Sequence, residues 1–159
     1  RPGPRALICM CNASSADGKK NDPTINRCIE LLSVGIIAGF TVVNWEPHVS
    51  ASPKELYDWR DRMGREHRAE YYRMRARNLA LIRVLSARAT VRYVAWGRLV
   101  PYVPLTYKVL GAMSLDGTRD LYAFGTTKDG APKHPMARGR HRIPAGAEPV
   151  LWRPAHEKI

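Results

Sequence analysis

The 159-residue sequence has no hydrophobic run that could cross a membrane. A transmembrane helix needs about 20 mostly apolar residues. The longest apolar segment here, residues 34–40, is short and interrupted by glycine. No apolar stretch typical of a secretion signal follows the first residues, so we expect a cytoplasmic protein without membrane contacts. With 45% hydrophobic and 25% charged residues, the chain (1–159) is expected to fold as one domain.

Several motifs of cofactor enzymes and metal sites are also missing. The sequence contains neither a Gly-x-Gly-x-x-Gly pattern nor a Walker loop, so no nucleotide cofactor is indicated. It has no His-Glu-x-x-His motif and no serine nucleophile elbow. The five histidines are not spaced as metal ligands. We therefore expect a protein that uses neither a cofactor nor a metal ion.

Cysteine is too scarce for a disulfide framework, because the chain has three cysteines, at positions 9, 11 and 28. Cys9 and Cys11 are two residues apart in a predicted strand, so they point to the same face. No fourth ligand lies near enough in the sequence to favour an iron–sulfur or zinc site. We expect all three to be buried or partly buried free thiols.

Acidic residues are few, and this is the most informative imbalance in the composition. The 14 Asp and Glu residues face 26 Lys and Arg residues, which gives a formal net charge of +12. Arginine supplies 19 of the 26 cations, and its planar guanidinium favours bidentate contacts with phosphate. A domain this basic is expected to bind a polyanion, in the first place a nucleic acid. The alternatives are a merely solvated surface or an association with the ribosome.

The hydrophobic pattern alternates between strands and helices and predicts an α/β fold. We expect a three-layer αβα sandwich with a central, mostly parallel sheet of four or five strands. Helices are predicted to begin at Asp22-Pro23 and at Ser52-Pro53, the second continuing to about residue 89 with a division at Gly64. Strands are predicted at 6–11, 40–44, 91–96 and 121–125, with a weak one at 150–152, and a short helix at 107–113.

Polar residues that follow the strands of such a sheet are candidates for a site. Ligands bind beyond the carboxyl ends of parallel strands. Asn12 and Asn44 each follow a predicted strand, and His134 lies in the long polar loop after the fourth. Singly, each has a simpler interpretation: a post-strand Asn often forms a turn or a helix cap, and a loop His is often only a surface residue.

Four short segments at the predicted strand ends and in this loop can be compared with known families. They are Cys9-Met10-Cys11-Asn12-Ala13-Ser14-Ser15-Ala16, Thr41-Val42-Val43-Asn44, Val94-Ala95-Trp96-Gly97 and His134-Pro135-Met136-Ala137. Together they resemble the uracil-DNA glycosylase superfamily, particularly its mismatch-specific uracil/thymine branch. They correspond to that family's Gly-x-Asn-Pro-Gly-type turn, its strand ending in a base-reading Asn, its Trp-Gly strand end and its His-Pro-Ser-Pro-type loop.

A second resemblance covers residues 6 to 137. The segments Cys11-Asn12-Ala13-Ser14-Ser15-Ala16-Asp17, Asp22-Pro23-Thr24-Ile25-Asn26-Arg27-Cys28 and 127–135 are similar to an uncharacterised bacterial and phage family. That family has a Leu-Asn-Pro-Ser-x-Ala-Asp turn, an Asp-Pro-Thr-x-x-Arg-Cys segment and a later His-Pro.

Two departures from the glycosylase pattern stand out. Ala13 replaces a proline, and the position of the stacking aromatic falls near Thr24 or Ile25, which leaves Trp45 as its replacement.

The resemblance implies a monomeric, monofunctional DNA glycosylase that hydrolyses the bond between a flipped base and its sugar. The missing aromatic leaves room for a larger, modified pyrimidine. The bacterial and phage setting of the second family implies a hypermodified base of double-stranded phage DNA, in anti-phage defence or in phage DNA modification. Asn12 would position the water, His134 would donate to the departing base, and Asp17 or Asp22 would supply a carboxylate unless they only cap helices. The implied base contacts are Asn44, Trp45, Ser14 and Ile25. The implied DNA contacts are Met136, as a wedge, and Lys133, Arg138, Arg140 and Arg142.

Two other functions stay open at this point. The first is a non-catalytic nucleic-acid-binding module with the same fold, which Ala13 and the missing aromatic favour. The second is an enzyme that acts on free nucleotides. The charge of +12 argues against the second, because a small substrate does not need an extended basic surface.

Overall fold

The computed structural model describes residues 2–11, 22–50, 52–100 and 104–156. In these residues the chain forms one sheet of five strands: β1 (Arg5–Met10), β2 (Gly39–Asn44), β3 (Val91–Val94), β4 (Leu121–Ala123) and β5 (Val150–Arg153). Their order across the sheet is β2-β1-β3-β4-β5. The first four strands are parallel to one another, and β5 pairs antiparallel with β4. The predicted mostly parallel sheet is confirmed.

The same residues contain four α-helices: α1 (Pro23–Leu32), α2 (Pro53–Glu66), α3 (Arg68–Arg88) and α4 (Pro104–Ser114). The predicted helix starts are confirmed, because Asp22 caps α1 and the Ser52 side chain accepts a hydrogen bond at the start of α2. Within the described ranges, none of the helices is both long and apolar enough to span a membrane.

The predicted division of the basic helical region at Gly64 is wrong, because Gly64 lies inside α2. The helix changes direction at His67, whose backbone is non-helical (φ −131°, ψ 39°). Met63 and Tyr71, on either side of this break, are both buried in the same core cluster. An interior glycine destabilises a helix by only about 1 kcal/mol, so Gly64 is tolerated inside α2. The break falls at His67 because both Met63 and Tyr71 must reach the same core cluster.

Alternating side chains of β1 divide the core into two halves. Ala6, Ile8 and Met10 pack with Cys28 and the other buried residues of α1. Leu7, Cys9 and Cys11 pack on the opposite face with residues from α2, α3 and α4. The sheet is therefore covered by helices on both faces, which explains why β1 is uniformly apolar.

The three cysteines are buried and free, as the sequence predicts. Burial raises the pKa of the Cys11 thiol to about 11 and that of Cys28 to about 12. It also raises the pKa of the fully buried Cys9 thiol. All three are therefore protonated near neutral pH and behave as small apolar side chains.

Helix α3 is attached to the sheet at its middle and at its C-terminal end. At its middle, the Asn78 side-chain amide donates to the backbone oxygen of Asn44, at the end of β2 (2.9 Å). At its C-terminal end, the buried guanidinium of Arg92, on β3, donates to the Ser86 hydroxyl and to the backbone oxygens of Ser86 and Ala89. One face of the helix packs on the core through Tyr71, Met74, Leu79, Ile82 and Leu85.

Two neighbouring residues of α3 provide a test of this packing. Ile82 is 0% exposed, whereas Leu81 is 53% exposed. We expect Ile82→Ala to lower the free energy of unfolding by about 2–5 kcal/mol, because it leaves a cavity under α3. Leu81→Ala should change it by less than about 0.5 kcal/mol. Urea unfolding followed by circular dichroism measures both values, and equal losses would contradict the assigned face of α3.

Candidate functional site at the carboxyl edge of the sheet

The strand register brings the predicted post-strand residues to one edge of the sheet. Met10 is aligned with Asn44, and the Ala95 backbone N–H donates to the Cys9 oxygen (2.8 Å). β1 therefore lies between the ends of β2 and β3. Two strand spacings separate those ends, which is roughly 10 Å. Asn44 and the Trp96-Gly97 strand end thus share the carboxyl edge, as the parallel sheet predicts.

His134 lies against the end of β3. Gly97 has a φ of +73°, and a Cβ atom at this position would stand 3.4 Å from the His134 Cβ. The loop is also held to the end of β4, because the Lys133 N–H donates to the Gly125 oxygen (2.9 Å). A side chain at position 97 would be strained and would push against the histidine. Glycine at this position therefore lets the loop bring His134 to the carboxyl edge.

The protonation state of His134 follows from its surroundings. Burial lowers the pKa of the imidazole below its ordinary value of 6.5, and the nearby charge of Asp22 offsets part of this effect. The ring is therefore neutral at pH 7. Its Nδ1 accepts a hydrogen bond from the Met136 backbone N–H (3.1 Å). A neutral imidazole whose Nδ1 accepts must carry its proton on Nε2, so His134 is a hydrogen-bond donor at this atom.

Asp22 connects α1 to this histidine. Its Oδ1 accepts a hydrogen bond from the Thr24 backbone N–H (2.6 Å), so Asp22 is the N-cap of α1. Helix capping was one of the two roles that the sequence predicted for this residue. Because α1 connects the parallel strands β1 and β2, its start lies at the carboxyl edge, and the charge of Asp22 acts to raise the pKa of His134. Ile25, half-buried in the first turn of the same helix, lies next in the chain. Asp22 can therefore cap the helix and act electrostatically at the edge.

Three of the predicted site residues, Asn12, Ser14 and Asp17, lie outside the described residues. Their roles stay predictions. The described chain stops at Cys11 and resumes at Asp22, so both flanks of this segment lie at the carboxyl edge.

Trp45 lies on the other face of the sheet from the α1 core. It is 1% exposed and packs in the core cluster under α2, α3 and α4. The Arg60 guanidinium is 5.9 Å from its ring centroid. In this arrangement the ring is packed by the protein and does not offer an open face to a base. Its indole Nε1 is buried and has no partner among the described residues.

Glu46, which follows Trp45 in the chain, was not among the site residues predicted from the sequence. Its side chain is completely buried, and its Oε1 accepts a hydrogen bond from the Tyr71 hydroxyl (2.8 Å). Arg75 Nη1 donates in turn to the Tyr71 hydroxyl (3.0 Å). Glu46 Oε2 has no partner in the described part of the chain. The available signal was a carboxylate two residues beyond an apolar strand, followed by a helical region rich in arginine.

Burial dominates the electrostatics of Glu46. It raises the pKa of the carboxyl above its ordinary value of 4.5, although the hydrogen bond from Tyr71 and the charges of Arg75 and Arg60 act to lower it. A buried acid with a raised pKa is a candidate functional residue.

An open cleft of about 830 Å³ extends from Trp45 between α2, α3 and the first turn of α4. Its lining carries four cations and a single acid, Asp61. The cations are Arg60, Arg65, Arg75 and Lys108; Trp45, Tyr71 and Tyr72 contribute aromatic rings, and the remaining lining residues are Gly64, Ala76, Leu79, Pro104 and Leu105.

The loop that carries His134 continues into a basic, exposed segment. The Met136 side chain is 38% exposed. Arg138, Arg140 and Arg142 are exposed around a short 3₁₀ turn at Gly139–His141. Lys133 is half-buried, and its aliphatic stem approaches Gly125. Among the described residues, no group of three His, Cys, Asp or Glu side chains could hold a metal ion.

The raised pKa of Glu46 leads to a prediction about stability. The folded state holds the Glu46 proton more tightly than the unfolded chain, so this group costs stability as the pH rises from about 4.5 through its folded pKa. Glu46→Gln does not titrate and keeps an acceptor for Tyr71. We expect it to be more stable than the parent at pH 7 by on the order of 1 kcal/mol, with the difference vanishing near pH 4.

Thermal unfolding of both proteins between pH 4 and pH 8 measures this difference. Glu66→Gln, at the exposed end of α2, is the matched control and should show no such dependence on pH. A Glu46→Gln protein that is less stable than the parent at every pH would contradict a buried, costly carboxylate.

Comparison with known proteins gives a family without an assigned function. A family model described as "Protein of unknown function (DUF1643)" matches residues 1–136. No curated protein and no solved structure matched the chain. The matched range contains β1 to β4, the cleft and His134, whereas Arg138, Arg140 and Arg142 lie beyond it. The protein therefore belongs to the DUF1643 family.

Proposed function

We propose that this protein is a monofunctional DNA glycosylase with a uracil-DNA glycosylase-like fold. The observation that carries the proposal is His134. A neutral imidazole stands at the carboxyl edge, beside the end of β3, with Nδ1 held by a backbone N–H and the proton on Nε2. This is the group that a departing base requires: a donor that is already oriented before negative charge develops.

The proposed reaction is hydrolysis of the bond between base and sugar. Water adds to the sugar C1′ and gives up one proton to solvent, while the C–N bond breaks and its electron pair leaves with the base. The departing base then takes up a proton from solvent, so that the net reaction is addition of water across the bond. His134 Nε2–H donates to the base oxygen on which this charge accumulates. Asn12 would hold the attacking water through its amide oxygen. The carboxylate of Asp22, close enough to act on the pKa of His134, would stabilise the cationic sugar.

Asn44 is proposed to read the base. It follows β2 at the same edge as the end of β1, and its side-chain amide offers one donor group and one acceptor. Neither Thr24 nor Ile25, at the start of α1, provides an aromatic platform. The pocket would therefore suit a base larger than uracil. We propose a modified pyrimidine, such as a hypermodified base of phage DNA.

The exposed loop after His134 would hold the duplex. An apolar side chain can replace a flipped base and kink the DNA, and Met136 is exposed at a suitable place in this loop. Arg138, Arg140 and Arg142 would contact phosphates on either side of the flipped nucleotide. This use of the loop agrees with the net charge of +12.

A non-catalytic nucleic-acid-binding module is the second candidate. It is favoured by the packing of Trp45, which is 1% exposed and cannot stack on a base in this arrangement. Such a module would bind DNA with the same dependence on salt but would leave every base attached. Formation of abasic sites therefore separates the two candidates.

The first test is single-turnover base release from a panel of DNAs, including phage genomes with modified cytosine or thymine. Abasic sites are cleaved by alkali and counted. We expect His134→Ala and Asn12→Ala each to raise the activation free energy of base release by about 2–4 kcal/mol, which corresponds to a rate roughly 30-fold to 1000-fold lower. DNA binding should be largely retained. His141→Ala, in the same loop, is the control and should release the base at the parent rate.

Two results would contradict the assignment. If the parent protein releases no base from any DNA in the panel but binds them all, the protein is the non-catalytic module. If His134→Ala releases the base as fast as His141→Ala does, the histidine is not the donor.

A second test concerns the arginines that are proposed to bind phosphates. Replacing Arg138, Arg140 and Arg142 together with glutamine should weaken binding to all duplexes alike. It should also reduce the slope of log K against log salt by about 0.9 for each phosphate that the variant no longer neutralises. Fluorescence anisotropy at several salt concentrations measures the slope. The matched control replaces the exposed Arg73, Arg77 and Arg88 of α3. If this control changes the slope and the loop variant does not, the basic face of α3 is the phosphate surface.

A further inference from the structure

The cleft beside Trp45 presents hydrogen-bond donors to solvent. Four cationic side chains line it, with one acid, Asp61, that is exposed and 3.8 Å from the Arg60 guanidinium. The start of α4, with Pro104, Leu105 and Lys108, forms one wall. The cleft is therefore suited to an anionic ligand that supplies acceptors.

The buried carboxylate of Glu46 fixes the orientation of one of the cations. Glu46 accepts from the Tyr71 hydroxyl, which in turn accepts from Arg75 Nη1. The Arg75 guanidinium also lies 5.0 Å from the centre of the Tyr71 ring. Two of its contacts are thus made to a residue that is itself held in the core, and Arg75 has further N–H groups to offer. A preoriented guanidinium is the preferred partner of a phosphate group.

The rest of the lining is apolar or aromatic. Leu79, Leu105 and Ala76 form an apolar wall. The Tyr72 ring, 55% exposed, lies at the cleft with the Arg68 guanidinium 5.6 Å from its centre. An exposed tyrosine beside arginines is a common platform for a nucleobase, whose flat face stacks on the ring.

We propose that this cleft binds one phosphorylated nucleoside, with its base against Tyr72 and the apolar wall and its phosphate on Arg75 and the neighbouring cations. The cleft volume of about 830 Å³ lies within the usual range for sites of ligands this size. The proposal does not depend on glycosylase activity. The nucleotide is either a free 5′-monophosphate or one unit of a nucleic acid strand, since both present the same base and phosphate.

The test is a calorimetric titration of the full chain with the common 5′-mononucleotides, alongside the nucleosides and ribose 5-phosphate. We expect a mononucleotide to bind at least tenfold more tightly than either fragment, because it engages both the rings and the cations. Arg75→Met should weaken mononucleotide binding at least tenfold. Arg73→Met, two residues away on α3 and outside the lining, is the matched control and should bind within about twofold of the parent, as expected for a surface change.

One further variant separates positioning from folding. Tyr71→Phe frees Arg75 and should weaken the mononucleotide and ribose 5-phosphate, while nucleoside binding is unchanged. A variant that merely loosened the core would weaken all three ligands. His134→Ala should leave mononucleotide binding intact, so failure of the glycosylase proposal does not affect this result.

Competition with an oligonucleotide distinguishes a free nucleotide from one unit of a nucleic acid strand. If a short single-stranded oligonucleotide displaces the bound mononucleotide and binds more tightly, the cleft holds one unit of a strand. If it does not displace it, the cleft holds the free nucleotide. The proposal is overturned if no mononucleotide binds to the parent protein at millimolar concentration, or if Arg75→Met and Arg73→Met bind equally well.

Discussion

Burial of β1 on both faces is the constraint on which the rest of the structure depends. The strand pairs in parallel with β2 on one side and with β3 on the other, so three strand ends meet at one edge of the sheet. Polar side chains and turns follow the described strands at this edge, as Asn44 follows β2 and Gly97 follows β3. Polar groups collect at this edge because a strand buried on both faces cannot accommodate them.

The sheet could be predicted from the sequence because each parallel strand is a short apolar run that ends in a polar or glycine residue. The helix starts could be predicted because Asp22 and Ser52 precede prolines. The break at His67 could not, since it depends on burying Met63 and Tyr71 in one core cluster. Glu46 was missed for a related reason. A glutamate is normally a surface residue, and only packing shows that this one is completely buried.

The two sides of the carboxyl edge differ in their electrostatics. On the side of α1, His134 is kept neutral by burial, and its ring is held by a backbone N–H. On the side of α3, arginines and a lysine line an aromatic cleft. Glu46, which orients Arg75 through Tyr71, is buried beneath it. A protein of the DUF1643 family thus combines a neutral donor and a cationic cleft on either side of one central strand.

Helix α3 connects this edge to the opposite end of the molecule. Its 21 residues span about 31 Å. Tyr71 and Arg75 stand at one end, and the carbonyls held by Arg92 stand at the other. The C-terminal end of α3 is thus held in place by one buried cation, Arg92. Arg92 and Ser86 lie outside the cleft lining, so a substitution at either residue would act on the cleft through the position of α3.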